Sequence, residues 1–306
     1  MEFIKKTLLI AFILSLTTSV TFSQNEINIK VNDNIIHLKT FSNGEPILII
    51  NGGPGMNSDG FAYLAEQLGK ANKAIIYDQR GTGKSKMRAI SSETIKMDLM
   101  VEDIETIRKH LKINDWVVLG HSFGGMLASY YTSKFPTRVK GLILSSSGGI
   151  DMELFSTLDI LSKLSDVQRD SLNYWNKRIE KGDTSYVARF KRGTNLAPAY
   201  LYDKSHINTI AHRLTQTNYK INNLVFQNMR KINFDCKEGL KRYIKPVLII
   251  QGKQDIISEK IALKAHKVFQ NSKMVLLEKC GHYGWLDQPK LYFTEIDEFL
   301  NSSQIN

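Results

Sequence analysis

The stretch Trp116-Val117-Val118-Leu119-Gly120-His121-Ser122-Phe123-Gly124-Gly125 constrains the fold more than any other part of the chain. Its four leading apolar residues predict a buried strand, and Met126 to Tyr131 predicts a helix. Between them a serine stands with glycine two residues away on either side, the Gly-x-Ser-x-Gly pattern of a sharp strand-to-helix turn. The glycines have a steric reason, because a strained turn leaves no room for side chains on both flanks. Such a turn lifts the serine oxygen above the sheet edge and aims the next helix N-terminus at it. The backbone N–H of Phe123 can then donate to a developing oxyanion. Taken alone, the five residues also fit a plain glycine-rich turn carrying an idle serine.

The surrounding pattern favours the first reading. Apolar runs recur at Ile27 to Val31, Ile35 to Phe41, Ile47 to Ile50, Ala74 to Tyr77, Leu142 to Leu144, Val247 to Ile250 and Met274 to Leu277. Runs this short suit strands of a sheet buried on both faces. Helical patterns lie between them, with Ile95, Leu99, Ile104, Ile107 and Leu111 forming one apolar stripe. Ile261 to Phe269 and Leu291 to Leu300 also read as helices. This alternation predicts an α/β fold with a doubly wound, mostly parallel sheet. It breaks over residues 151–242, which are helix-like and rich in aromatics. That stretch carries 16 lysines and arginines against 10 aspartates and glutamates, a net +6. The expected organisation is a core of residues 24–150 and 243–306, with 151–242 inserted as a helical cap over the carboxyl end of the sheet.

A serine nucleophile needs a base, and the base needs an orienting acid. Val247 to Ile250 leads to Asp255, and Met274 to Leu277 leads to His282. Both positions follow strands, where sites on open α/β sheets lie. Asp255 has a competing reading as a helix N-cap, although Ser258 offers another cap. Asp151 is the second-choice acid, whereas Glu278 and Asp287 lie too close to His282 in sequence. His121 is expected to point away from the serine and to be structural. The histidines form no metal-ligand spacing. Asn51-Gly52-Gly53-Pro54-Gly55 follows an early strand, and the N–H of Gly53 is the natural second oxyanion donor; a plain turn is the alternative. Gly81-Thr82-Gly83-Lys84-Ser85 mimics the end of a phosphate-binding loop. The required glycine five residues before Gly83 is Asp78, so the match fails.

The net charge of +11 raises nucleic acid or an acidic surface as a partner. The 41 lysines and arginines are scattered, however, and no basic-aromatic nucleic-acid motif is present. Two cysteines are too few for a disulfide framework or a four-cysteine zinc site. At the N-terminus, Lys5 and Lys6 precede a mostly apolar stretch from Thr7 to Val20, followed by small residues before a cut after Ser23. This is the layout of a secretory signal peptide over residues 1–23, with an uncleaved anchor as the alternative. Export permits Cys236 and Cys280 to pair; two buried thiols fit equally well.

Together, Asn51-Gly-Gly-Pro-Gly55, Asp78-Gln-Arg-Gly-Thr-Gly-Lys-Ser85, Gly120-His-Ser-Phe-Gly-Gly125, Asp255 and Gly281-His282 resemble an α/β-hydrolase of the proline iminopeptidase group. The resemblance covers nearly the whole chain after residue 23 except the cap. It implies a triad of Ser122, Asp255 and His282, oxyanion donors at Gly53 and Phe123, a helical cap, no metal and no cofactor. Two departures stand out. Members usually carry histidine where Asn51 stands. They also bind the substrate's amino group with cap glutamates, yet Leu214 to Tyr219 carries no acid.

The expected protein is therefore an exported serine hydrolase acting on a small molecule or short peptide, with no nucleic-acid partner and no stable membrane insertion once the leader is removed. It is either an aminopeptidase or an esterase or amidase on the same scaffold. The rivals are a non-catalytic binding protein on a hydrolase frame and a polyanion- or membrane-surface binder.

Overall fold

The computed structural model describes residues 24–31, 33–303 and 305. The leader expected over residues 1–23 lies outside them. Eight strands form one sheet: β1 Gln24–Val31, β2 Asn34–Phe41, β3 Pro46–Ile50, β4 Lys73–Tyr77, β5 Trp116–His121, β6 Val139–Ser145, β7 Val247–Gly252 and β8 Ser272–Leu277. Their order is β1-β2-β4-β3-β5-β6-β7-β8. β1 pairs antiparallel with β2, and β2 antiparallel with β4; every pair from β4 to β8 is parallel. Each apolar run read as a strand forms one.

β5 and β7 are buried throughout and β3 from Ile47 onward, as expected of a sheet covered on both faces. β8 departs from that expectation, because Met274, Val275 and Leu276 are only partly covered. It is the last strand of the sheet and has a neighbour on one side alone.

Helices α1 Ala62–Leu68, α2 Met97–His110 and α3 Phe123–Lys134 link the first half of the sheet. The buried face of α2 is Met97, Met100, Val101, Ile104 and Ile107. The stripe read from sequence leaned on Leu99 and Leu111, which stay partly exposed. Methionine fills irregular gaps as well as leucine does, and two methionines carry the contact instead.

Between β6 and β7 the chain forms helices α4 Leu154–Thr157, α5 Asp166–Glu180, α6 Tyr186–Leu196, α7 Ile207–Leu214, α8 Tyr219–Lys231 and α9 Lys237–Leu240. Local signals set several of their starts. Ser165 and Gln168 form a reciprocal capping box on α5, and Asn218 caps α8 through the Ile221 N–H. This segment is fastened to the loop after β3. The Asn218 N–H donates to Gly55 O at 2.9 Å, and Asn222 Nδ2 donates to Pro54 O at 3.1 Å. Helices α10 Glu259–Val268, α11 Gly284–Asp287 and α12 Pro289–Leu300 complete the core.

The chain leaves β3 toward β4 on one side and returns to β5 on the other. The carboxyl ends of β3 and β5 therefore flank a topological switch point, where open α/β sheets bind ligands. Both glycine-rich turns emerge there.

The Gly81 to Ser85 segment is a structural loop around a buried carboxylate. Asp78 Oδ1 accepts from the Ser58 N–H and hydroxyl at 2.8 and 2.9 Å, and Oδ2 accepts from the Lys84 N–H at 2.8 Å. A Cβ at Gly83 would lie 2.3 Å from Asp78 Oδ2, which accounts for the glycine without any phosphate. Arg80 anchors the loop through a bidentate pair with Asp103, both bonds 2.7 Å.

Candidate active site

Ser122 sits between β5 and α3 with φ 56° and ψ −123°, outside the ordinary regions for a residue with a side chain. The flanking glycines show what holds it there. A Cβ at Gly120 would lie 2.4 Å from Gly124 O, and one at Gly124 would lie 2.0 Å from Ile50 O. The turn thus packs backbone against backbone. Its neighbours are buried, while Ser122 itself is partly exposed and lines a cleft. Phe123 opens α3, so its N–H has no acceptor inside the helix.

The second glycine turn faces the first. A Cβ at Gly52 would fall 2.7 Å from Ser122 Cβ, and Gly53, at φ +67°, borders the same cleft. Gln79 Nε2 donates to Asn51 O at 2.8 Å, and Asn51 Nδ2 donates to Gly52 O and Met56 O at 3.0 and 3.2 Å. Asn51 therefore shapes this loop from within. Gln79, from the loop after β4, holds the strand end in place.

The acid and the imidazole expected from sequence meet. The His282 Nδ1–H donates to Asp255 Oδ1 at 2.8 Å, and both side chains are buried. Asp255 is oriented further by Gln251 Nε2, which donates to Oδ2 at 2.9 Å, and by the Ile257 N–H at 3.1 Å. Ser258, not Asp255, caps α10, accepting from the Lys260 N–H. Asp151, the second-choice acid, lies elsewhere and is held by Lys237 and Lys264.

His282 is also tied to the helical segment. Its N–H donates to Tyr200 O at 2.7 Å. Asp287 accepts from the Gly281 N–H at 2.7 Å and from the N–H groups of Tyr202 and Asp203 at 3.0 and 2.8 Å. Neither Gln251 nor Asp287 was singled out as part of this frame. Gln251 had a readable signal, a polar residue closing a buried apolar run; Asp287 had none.

His121 does not turn away from the cleft. Its ring centroid is 4.5 Å from that of His282, and it packs against Phe61 and Trp285. Burial, then the neighbouring His282 and Arg213 charges, hold its imidazole well below the usual histidine range. It is neutral filling behind the site.

The enclosed part of the cleft is small, about 130 Å³, and opens to solvent. Ser122, His121, His282, Tyr200, Tyr283 and Arg213 supply its polar border, and Met126, Leu154, Leu158, Phe226 and Ile256 much of the apolar wall. Cys236 and Cys280 are buried free thiols, and burial pushes both thiols upward, so of the two states open from sequence the unpaired one is present. No group of three or more metal-ligating side chains occurs among the described residues.

A hydroxyl, an imidazole and a carboxylate beside two backbone turns are the parts acyl transfer uses. The comparisons agree with that class. A sequence profile of the alpha/beta hydrolase fold matches residues 45–289, and the chain belongs to this family of hydrolases. More particularly, it is 28% identical over 271 residues to a proline iminopeptidase of Heyndrickxia coagulans, covering 85% of this chain and 91% of that protein. It is 27% identical over 272 residues to a proline iminopeptidase of Saccharolobus solfataricus, covering 83% and 84%. Among solved structures, a 2-hydroxy-6-oxo-6-phenylhexa-2,4-dienoate hydrolase from Rhodococcus sp. strain RHA1 matches with TM-score 0.74 at 19% identity, over 92% of this chain and 100% of that one. That likeness speaks to the fold.

Proposed function

We propose that the protein is a serine hydrolase that cleaves a carboxylic ester or amide through an acyl-enzyme on Ser122. The observation that carries this reading is the buried 2.8 Å bond from His282 to Asp255, with His282 and Ser122 lining one cleft. Ser122 Oγ attacks the substrate carbonyl carbon as its proton passes to His282 Nε2. The N–H groups of Gly53 and Phe123 stabilise the resulting oxyanion. The imidazolium then protonates the departing oxygen or nitrogen, and the carbon–leaving-group bond breaks. Water, deprotonated by His282, attacks the acyl-serine; the proton returns to Ser122 Oγ and the acid is released. Asp255 keeps the His282 Nδ1–H in place and supports the charged ring.

The relatives named proline iminopeptidase favour a second reading, release of an amino-terminal residue. The cleft argues for an ester or amide without a free ammonium, because no aspartate or glutamate side chain lines it among the described residues. A small apolar acyl group fits its walls. The leader layout of residues 1–23 supports export of the chain from Gln24, which the intact mass of the exported protein checks.

A paired assay tests the substrate class on the chain from Gln24. A short-chain aryl ester is expected to be hydrolysed at least about tenfold faster, as kcat/KM, than a proline arylamide with a free amine. N-acylation of that arylamide is expected to raise, not lower, its turnover. Fast release from the free-amine substrate alone would sink this reading in favour of the aminopeptidase.

A further inference from the structure

Two arginines are buried among the described residues, and they are treated differently. Arg108 holds Glu105 through two 2.8 Å bonds. Arg213, on α7 and 4% exposed, has no carboxylate partner among those residues. Its Nη2 donates to Gly52 O at 2.9 Å, and its Cζ lies 4.7 Å from the centre of the Phe61 ring. Its Nε and Nη1 have no acceptor among the described residues. Gly60 makes room for the group, since a Cβ there would come within 2.7 Å of Nη1. A buried guanidinium left with a carbonyl, an aromatic face and the nearby Tyr283 hydroxyl is incompletely compensated, because a charge taken from water requires a paired anion to offset its desolvation.

The same side chain borders the cleft, and among the described residues it is the single permanently charged group that does so. It holds the carbonyl of Gly52, the residue packed against Ser122. The buried Tyr283 hydroxyl lies close enough for the Arg213 charge to act on it. We infer that Arg213 binds a carboxylate of the substrate, so that the preferred substrates are short esters or amides that carry a free carboxylate beside an apolar portion. This deepens the proposed function and rests on it. Guanidinium groups suit the task because their planar fork matches a carboxylate with two parallel bonds. The carboxylate would dock near the glycine turn, and the apolar portion would reach toward Leu154, Leu158 and Phe226. A free ammonium in the same place would meet a cation with no counter-charge, which is why the missing acid and the buried arginine form one observation.

The test separates recognition from chemistry by using Ser122→Ala and calorimetric binding of 3-phenylpropanoate and 3-phenylpropanamide. These probes share shape and differ in charge. The acid is expected to bind about 10- to 100-fold more tightly than the amide, the effect of charge-assisted hydrogen bonds. Arg213→Met in the same background is expected to erase that ratio, and Arg213→Lys to restore part of it. Equal binding of the two probes, binding of neither, or an unchanged ratio in Arg213→Met would overturn the assignment. If Arg213→Met does not fold, judged by its melting transition, the acid-to-amide ratio of Ser122→Ala and its decline with added salt decide the question. Because no turnover is needed, a failure of the acyl-enzyme reading leaves this result independent: an unreactive Ser122 would refute the chemistry alone.

Discussion

His282→Ala is expected to lower kcat for a short-chain aryl ester by roughly four to six orders of magnitude, with a much smaller change in KM. The size follows from the unit character of such triads, in which loss of the base costs nearly as much as loss of the whole constellation. What remains comes from the oxyanion donors and binding. Asp255→Asn is expected to cost about 10⁴, because the amide cannot hold the Nδ1–H tautomer or support the imidazolium. The isosteric side chain should keep its place, but the Ile257 N–H meets Oδ1, on the His282 side, and Gln251 Nε2 meets Oδ2, so the amide leaves one of these two donors without an acceptor. Steady-state kinetics with an active-site titration check both values. A loss of less than about tenfold in His282→Ala would show that another group takes the proton.

The second large effect is on folding. Gly124→Ala is expected to destabilise the protein by about 3 kcal/mol or more, because the new methyl group would overlap Ile50 O and backbone cannot move aside as a side chain can. An ideal Cβ at position 124 would lie 2.0 Å from that oxygen. Gly182→Ala is the comparison. Gly182 has φ +100° and open space around it, so only the backbone penalty applies, about 1 kcal/mol. Denaturant unfolding of both variants measures the difference. Equal effects would mean that the elbow relaxes and that its glycines are not sterically required.

Much of the fold was readable because its signals are local. Apolar runs bounded by turns mark every strand, and glycine pairs mark both turns at the switch point. Order in the sheet was not readable in that way, since nothing in the runs Lys73–Tyr77 or Trp116–His121 says that both neighbour β3. Register depends on partners distant in sequence. The same limit applies to the site. Ser122, Asp255 and His282 stand at strand ends with recognisable spacing, and the structure brings the last two into contact. Asp287 and Arg213 act through partners far away in sequence, Tyr202 and Gly52, and no periodicity marks them. His121 was expected to be structural and packs as such against Phe61, His282 and Trp285; only its expected direction away from the site differs, since it borders the cleft.

Covalent labelling tests directly whether Ser122 carries the acyl group. The chain from Gln24 is treated with an active-site fluorophosphonate and read by intact mass, followed by peptide mapping, beside Ser122→Ala and heat-denatured protein. One adduct per chain is expected on Ser122, absent from both controls and greatly slowed in His282→Ala. An adduct on another residue, or none on native protein that has folded, would contradict it.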